Sequence, residues 1–256
     1  MDKQEQIIQD RFQKLTERMK ELGYNSYMVG RAKERIDELQ QRGVRGVDKF
    51  VQKLLDRVND KQAYLDILIE GRFAIILARN SFSGIHIEYT DKGADLKAIW
   101  NRNIVYFEIT RRHSEIDEWA DQPEAAFVVS PDRIENIIGK IQEKLKQLQN
   151  GEINVVVIWS DKIGLLPSIM EEAFKYIEQE VEGDPQKYKK LSGVLFTEGG
   201  GVDTATLKQF YLFKNDKASK VLKLSLVEKL ESLLEQDKVQ LQEEIKEMTA
   251  ALKSLR

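Results

Sequence analysis

The chain has no cysteine, only two histidines and, in 256 residues, no apolar run of the roughly 18 residues that would mark a membrane span. Without cysteine there is no disulfide, no thiol nucleophile and no thiolate zinc or iron–sulfur site, a composition compatible with a reducing compartment. His86 and His113 are too few for a multi-histidine metal centre and leave a serine–histidine triad little to draw on. The opening MDKQEQIIQDRFQK lacks the basic and apolar regions of a signal peptide, so the expectation is a soluble, cytoplasmic protein with no membrane contact. A net charge of -3 supplies no global attraction to nucleic acid, so any such contact has to be a local patch. What is present, 41% hydrophobic and 32% charged residues, is enough to bury one substantial core or two modest ones.

The chain divides into three zones. In residues 1–61, Ile8, Phe12, Leu15, Met19 and Leu22 step by four and three along one narrow helical seam that Gly23 ends. A second helix is predicted over about 26–41, then the two glycines of RGVRGVD loosen the chain before a third helix begins near Val47. Arg31, Lys33, Arg35, Arg42, Arg45 and Lys49 lie close in sequence, as in a DNA-reading helical module. Acidic residues interleave with them, however, and a helical cap or docking element is the expectation. In residues 219–256, a long amphipathic helix from about Leu224 to Leu255 repeats Leu234, Leu241, Met248 and Leu255 every seven residues. Ile245 and Leu252 take the alternate seam positions and Lys238 interrupts the series. Such a coiled-coil-like seam pairs with the Ile8 to Leu22 helix, joins a second copy in a homodimer, or packs on its own domain.

Residues 62–218 read as one mixed α/β domain. A helix (QAYLDILIEGRFAIILARNSF) precedes the strand GIHIEY, and GADLKAIWNRNIVYFEITRR, residues 93–112, reads as a β-hairpin, rich in Ile, Val, Tyr, Phe and Trp around a polar Asn101-Arg102-Asn103. A two-residue turn at Asn101-Arg102 sets Trp100 opposite Asn103, Lys97 opposite Tyr106 and Asp95 opposite Glu108; a three-residue turn shifts the register by one. Like charges placed opposite each other destabilise a sheet, so solvent, a cation such as Lys97 or a bound divalent metal is expected to compensate. Ser130-Pro131 then opens a helix with Ile134, Ile137, Ile138, Ile141, Leu145 and Leu148 on its buried side. INVVVIW reads as a strand buried on both faces, followed by a helix over about 166–182 and the strands GVLFT and QFYLFK.

This order of elements and its carboxylates resemble the PD-(D/E)XK nuclease superfamily, with its restriction-endonuclease-like fold of a mixed sheet flanked by helices. The resemblance covers the middle zone and not the helical ends. In that family a helix acid, a strand Asp and an (Asp/Glu)-X-Lys on the next strand converge to bind Mg²⁺. Glu70 in LIEGRF is similar to the helix acid, Asp95 in GADLKA to the strand Asp and Glu108 in YFEIT to the second strand acid, with the main-chain carbonyl of Ile109 as a further ligand. Thr110 stands where the family usually has lysine, and Gly93-Ala94 replaces the proline that often precedes the Asp. Some members are similar in the rest of the pattern with the lysine moved elsewhere. Lys97 on the strand, and Lys140 and Lys144 on the following helix, are the lysines in range.

The resemblance implies a metal-dependent nuclease, with Mg²⁺ or Mn²⁺ as cofactor, DNA or RNA as partner, and Asp95, Glu108 and a displaced lysine, Lys97 first, as the catalytic set. Lys140, Lys144, Arg111, Arg112 and His113 are the side chains expected to meet phosphates, although strand alternation sends Arg111 to the face opposite Glu108. Glu88 either joins the site or is an exposed strand residue. The alternative is a noncatalytic nucleic-acid-binding or protein-assembly module on the same scaffold. Three further features read as structural. TEGGG at 197–201 is a strand-exit loop without the P-loop lysine, KYKK at 187–190 a solvated turn, and Trp100, Trp119 and Trp159 core or strand-end aromatics.

Overall fold

A computed structural model describes residues 3–88, 94–112, 131–160, 167–198 and 209–234. Three helices come first: α1 (Lys3–Glu21), α2 (Ser26–Gln41) and α3 (Val47–Arg57). Asn25 caps α2, its side chain accepting from the Met28 N–H, so that helix begins where its first orphan donors find a partner. Gly46 precedes α3 at a left-handed φ of 81°, where a Cβ would sit 2.1 Å from the Ile87 carbonyl oxygen. Only glycine allows this close approach, which lets Arg45 exchange main-chain hydrogen bonds with Ile85 and Ile87.

The core elements follow as α4 (Lys61–Arg79), β1 (Ser83–Ile87), β2 (Leu96–Trp100), β3 (Asn103–Arg112), α5 (Pro131–Lys144), β4 (Ile153–Ser160), α6 (Pro167–Gly183), a short α7 (Pro185–Tyr188), β5 (Gly193–Glu198), β6 (Gln209–Lys214) and α8 (Leu224–Glu231). The six strands form one mixed sheet in sequential order: β1, β2 and β3 antiparallel, β3, β4 and β5 parallel, and β6 antiparallel to β5. Side-chain alternation divides the sheet between two apolar layers. Phe107, Val155, Val157, Trp159 and Leu195 face the larger core with α1 to α4 and α8, and Val156, Ile158, Val194 and Phe196 face a smaller one with α5 and α6.

Asp60 caps α4 through the Gln62 and Ala63 N–H groups, and almost the whole second half of this helix is buried, as expected of a helix apolar all round. The α1 seam is realised by Ile8, Leu15 and Met19. The basic residues of the first zone are largely paired within the helices, Arg31 with Glu34, Lys33 with Asp37 and Arg42 with Glu38, while Arg35 donates to the Leu68 carbonyl. KYKK differs from expectation in one respect: Tyr188 is buried, its hydroxyl donating to Glu180, which folds the segment into α7. The described part of the last helix packs Leu226, Leu230, Leu233 and Leu234 into the larger core; Leu241, Ile245, Met248, Leu252 and Leu255 lie outside the described residues. No described helix is long and apolar enough to cross a membrane.

Candidate functional site

The hairpin turns where the sequence reading put its two-residue turn. Trp100 pairs with Asn103, Lys97 with Tyr106 and Leu96 with Phe107, and continuing the register by one residue sets Asp95 opposite Glu108. Asn101 and Arg102 both have positive φ, 45° and 65°, the twist a two-residue hairpin turn requires. Asp95 lies just ahead of β2, where its main-chain carbonyl accepts from the Glu88 N–H and its Oδ2 accepts from the Ile109 N–H at 2.7 Å. A charge-assisted bond of that length fixes the carboxylate in place.

Two lysines, one from each helical layer, meet this pair. Lys144, at the end of α5, brings Nζ to 3.2 Å from Asp95 Oδ2 and 3.1 Å from Glu108 Oε2. Lys53, from α3, brings Nζ to 2.8 Å from Glu70 Oε2, 2.6 Å from Glu88 Oε1 and 3.9 Å from Asp95 Oδ1. Glu88 itself adopts a left-handed φ of 54°, a costly conformation for a residue with a side chain. Among the described residues, four carboxylates therefore share two ammonium groups, a formal excess of two negative charges in a largely buried place.

The electrostatics follow from that excess. Burial, then the Asp95 charge, raise the Glu108 carboxyl to about 7 despite Lys144. Burial, with Asp95 next, also holds Glu70 well above the usual carboxylate range against the pull of Lys53. Burial alone would lower both lysines, but their carboxylates outweigh it, Glu70 leading at Lys53 and Asp95 at Lys144, so both stay charged. Glu108 is 1% exposed, and its Oε1 has no hydrogen-bond partner among the described residues. A buried carboxylate oxygen without a donor calls for a proton or a cation.

Of the three lysines in range by sequence, Lys144 lies on both carboxylates; Lys140 is one turn earlier on α5, and Lys97 stands two residues along the strand between Tyr106 and His86. Arg111 requires a correction. Its guanidinium faces α4, is buried, pairs with Asp66 at 2.6 Å and donates to Gln62, so it is not presented to phosphates. The phosphate contacts expected of the Arg112 side chain and of His113 lie outside the described residues, as does Trp119. Sequence reasoning missed Lys53. It belongs to a helix of the first zone, and no local spacing signals that α3 delivers it to the sheet. Among the described residues no three acidic or histidine side chains are already drawn together as an ion's ligand shell; an ammonium group stands among the acids instead. Comparisons with protein-family models, curated proteins and solved structures return no match.

Proposed function

We propose that the chain is a metal-dependent phosphodiesterase acting on DNA or RNA, built on a restriction-endonuclease-like core. The observation that carries this reading is the Lys144 ammonium spanning Asp95 and Glu108 across the hairpin. Around it stand a helix acid, Glu70 on α4, and the order α4, three antiparallel strands, α5 and a parallel strand, which is the order the resemblance implies. Thr110 lacks the positive charge that the reaction needs beside the scissile phosphate, and Lys144 supplies it from the neighbouring helix.

The donor set fits Mg²⁺ or Mn²⁺. Carboxylate oxygens suit hard cations, and among the described residues the formal excess of two negative charges matches one divalent ion and Glu108 Oε1 is an oxygen without a partner. Asp95, Glu108 and the Ile109 carbonyl would hold the ion, with Glu70 behind them. Bound there, it would act as a Lewis acid on the phosphate. The chain's own groups do the rest. The Ile109 N–H orients Asp95, and Lys144, whose third donor rests on Gln147, would turn that donor to the attacking water and stabilise charge developing on the phosphate. Glu108 Oε1 would take a cation only as the ionised carboxylate, which its raised pKa disfavours below about pH 7.

The test is incubation of the purified protein with single- and double-stranded DNA and RNA in Mg²⁺ or Mn²⁺, beside Asp95→Ala and Lys144→Ala. Cleavage by wild type, lost in both variants, with ion binding retained in Lys144→Ala, is the expected result. A wild type that cuts none of the four substrates overturns the reading. One observation favours a noncatalytic module on the same scaffold, namely that Asp95 already has cations on both oxygens. On that reading Asp95→Ala lowers the melting temperature and changes neither ion binding nor cleavage.

A further inference from the structure

Lys53 comes from α3, in the N-terminal helical zone, and reaches the site from outside the hairpin and α4. Its ammonium stands among Glu70, Glu88 and Asp95, within 2.8 Å of the first and 2.6 Å of the second. The approach is built in. Gly71 follows Glu70 on α4, and a Cβ there would meet Phe50 of α3 at 2.6 Å, so the absence of a side chain lets α3 close on α4 and bring Lys53 into reach. Glu88 turns toward the same ammonium from a left-handed backbone.

A divalent ion on these carboxylates would be repelled at a few ångströms by both ammonium groups; Lys144 is the more enclosed, 17% against 32% exposed, and is held by Gln147 as well. Lys53 also has somewhere to go. Its side chain is 32% exposed, and with Glu88 it borders an open cavity of about 460 Å³ that Gln52, Lys49, Arg11 and Asp56 also line. Asp56, one turn further along α3, offers the displaced ammonium a new partner, and a four-carbon stem can swing between them.

Resting on the metal reading above, we propose that Lys53 is the resident stand-in for the divalent cation. It holds Glu70, Glu88 and Asp95 together in the metal-free protein and moves into the adjoining cavity when the ion binds, so that α3 registers whether the site is loaded. Lys53 is thus a positioning residue rather than a group acting on substrate.

Calorimetric titration of Mn²⁺ into the full chain tests this, comparing wild type with Lys53→Met, Lys53→Arg and Lys49→Met, alongside hydrogen exchange of α3 with and without Mn²⁺. Lys53→Met should bind Mn²⁺ about tenfold or more tightly than wild type. Lys53→Arg should bind no tighter than wild type. Lys49→Met, which removes a second lysine bordering the cavity, should change affinity far less than Lys53→Met. In wild type, Mn²⁺ should speed amide exchange in α3. If Lys53→Met does not fold, the wild-type exchange and Lys53→Arg still decide the matter. Folded Lys53→Met binding no tighter than wild type, equal gains in Lys53→Met and Lys49→Met, or α3 exchange unchanged at saturating Mn²⁺ overturns the stand-in role and leaves the metal reading in place. No Mn²⁺ binding by any of the four proteins overturns both.

Discussion

At Glu108 burial and the Asp95 charge push the carboxyl to about 7, while Lys144 pulls it down without prevailing. A folded-state value above the ordinary 4.5 means that the metal-free protein holds a proton there which the unfolded chain releases. The associated stability is fully present below about pH 4.5 and is lost as pH rises through about 7. Melts in chelator should therefore fall in temperature across that window. Glu108→Gln should flatten the fall and exceed wild type above it by on the order of 1–3 kcal/mol, less than the whole rise to about 7 would give because the Gln amide also meets Lys144. Parallel profiles for the two proteins would assign the raised value to another group. The opposition of Asp95 and Glu108 was legible in the sequence because the strand period is two and one turn assignment settles every pair. Lys53 was not, since its approach depends on how two helices pack, with Gly71 at their contact.

Elements whose limits are set by local chemistry were readable from the sequence. α2 begins after the Asn25 cap, α5 at Pro131, and the hairpin turns at Asn101-Arg102. Elements set by distant contacts were not. Arg45 pairs with the edge of β1 only because Gly46 passes close to Ile87, and β1 ends where Glu88 turns left-handed to meet a lysine from α3. The hairpin turn also carries a cost that the chain could shed. Arg102 is exposed with φ at 65°, a conformation that glycine adopts without penalty and an L side chain does not. Arg102→Gly should raise stability by about 1 kcal/mol in chemical denaturation and leave ion binding unchanged. A loss of stability would mean that the guanidinium does more than ride on the turn.

The whole molecule is tied together by the larger core, which runs without a break from Ile8, Leu15 and Met19 of α1 through Phe50 and Leu54 of α3 and Phe73 of α4 to Phe107 and Val155 of the sheet and Leu226 and Leu230 of α8. Buried Asn80 adds a polar tie, its side-chain amide donating to the Ile76 and Leu233 carbonyls and so joining α4 to the residues just after α8. Helices that share one core with the sheet should unfold with it. Leu54 is fully buried next to Lys53, and Leu54→Ala removes atoms that the surroundings cannot replace, at a cost of about 2–5 kcal/mol. The three tryptophans, Trp100, Trp119 and Trp159, all lie in the middle zone, so their fluorescence reports that zone while far-ultraviolet dichroism reports helices throughout the chain. In wild type the two signals should change together in one transition, and in Leu54→Ala both should move to lower denaturant by the same amount. A cap that folds independently would give a separate dichroism step, with Leu54→Ala displacing that step and leaving the fluorescence midpoint where it was. Coincident midpoints would make the integrity of α3 a condition for the sheet, and with it for the carboxylates that Lys53 holds.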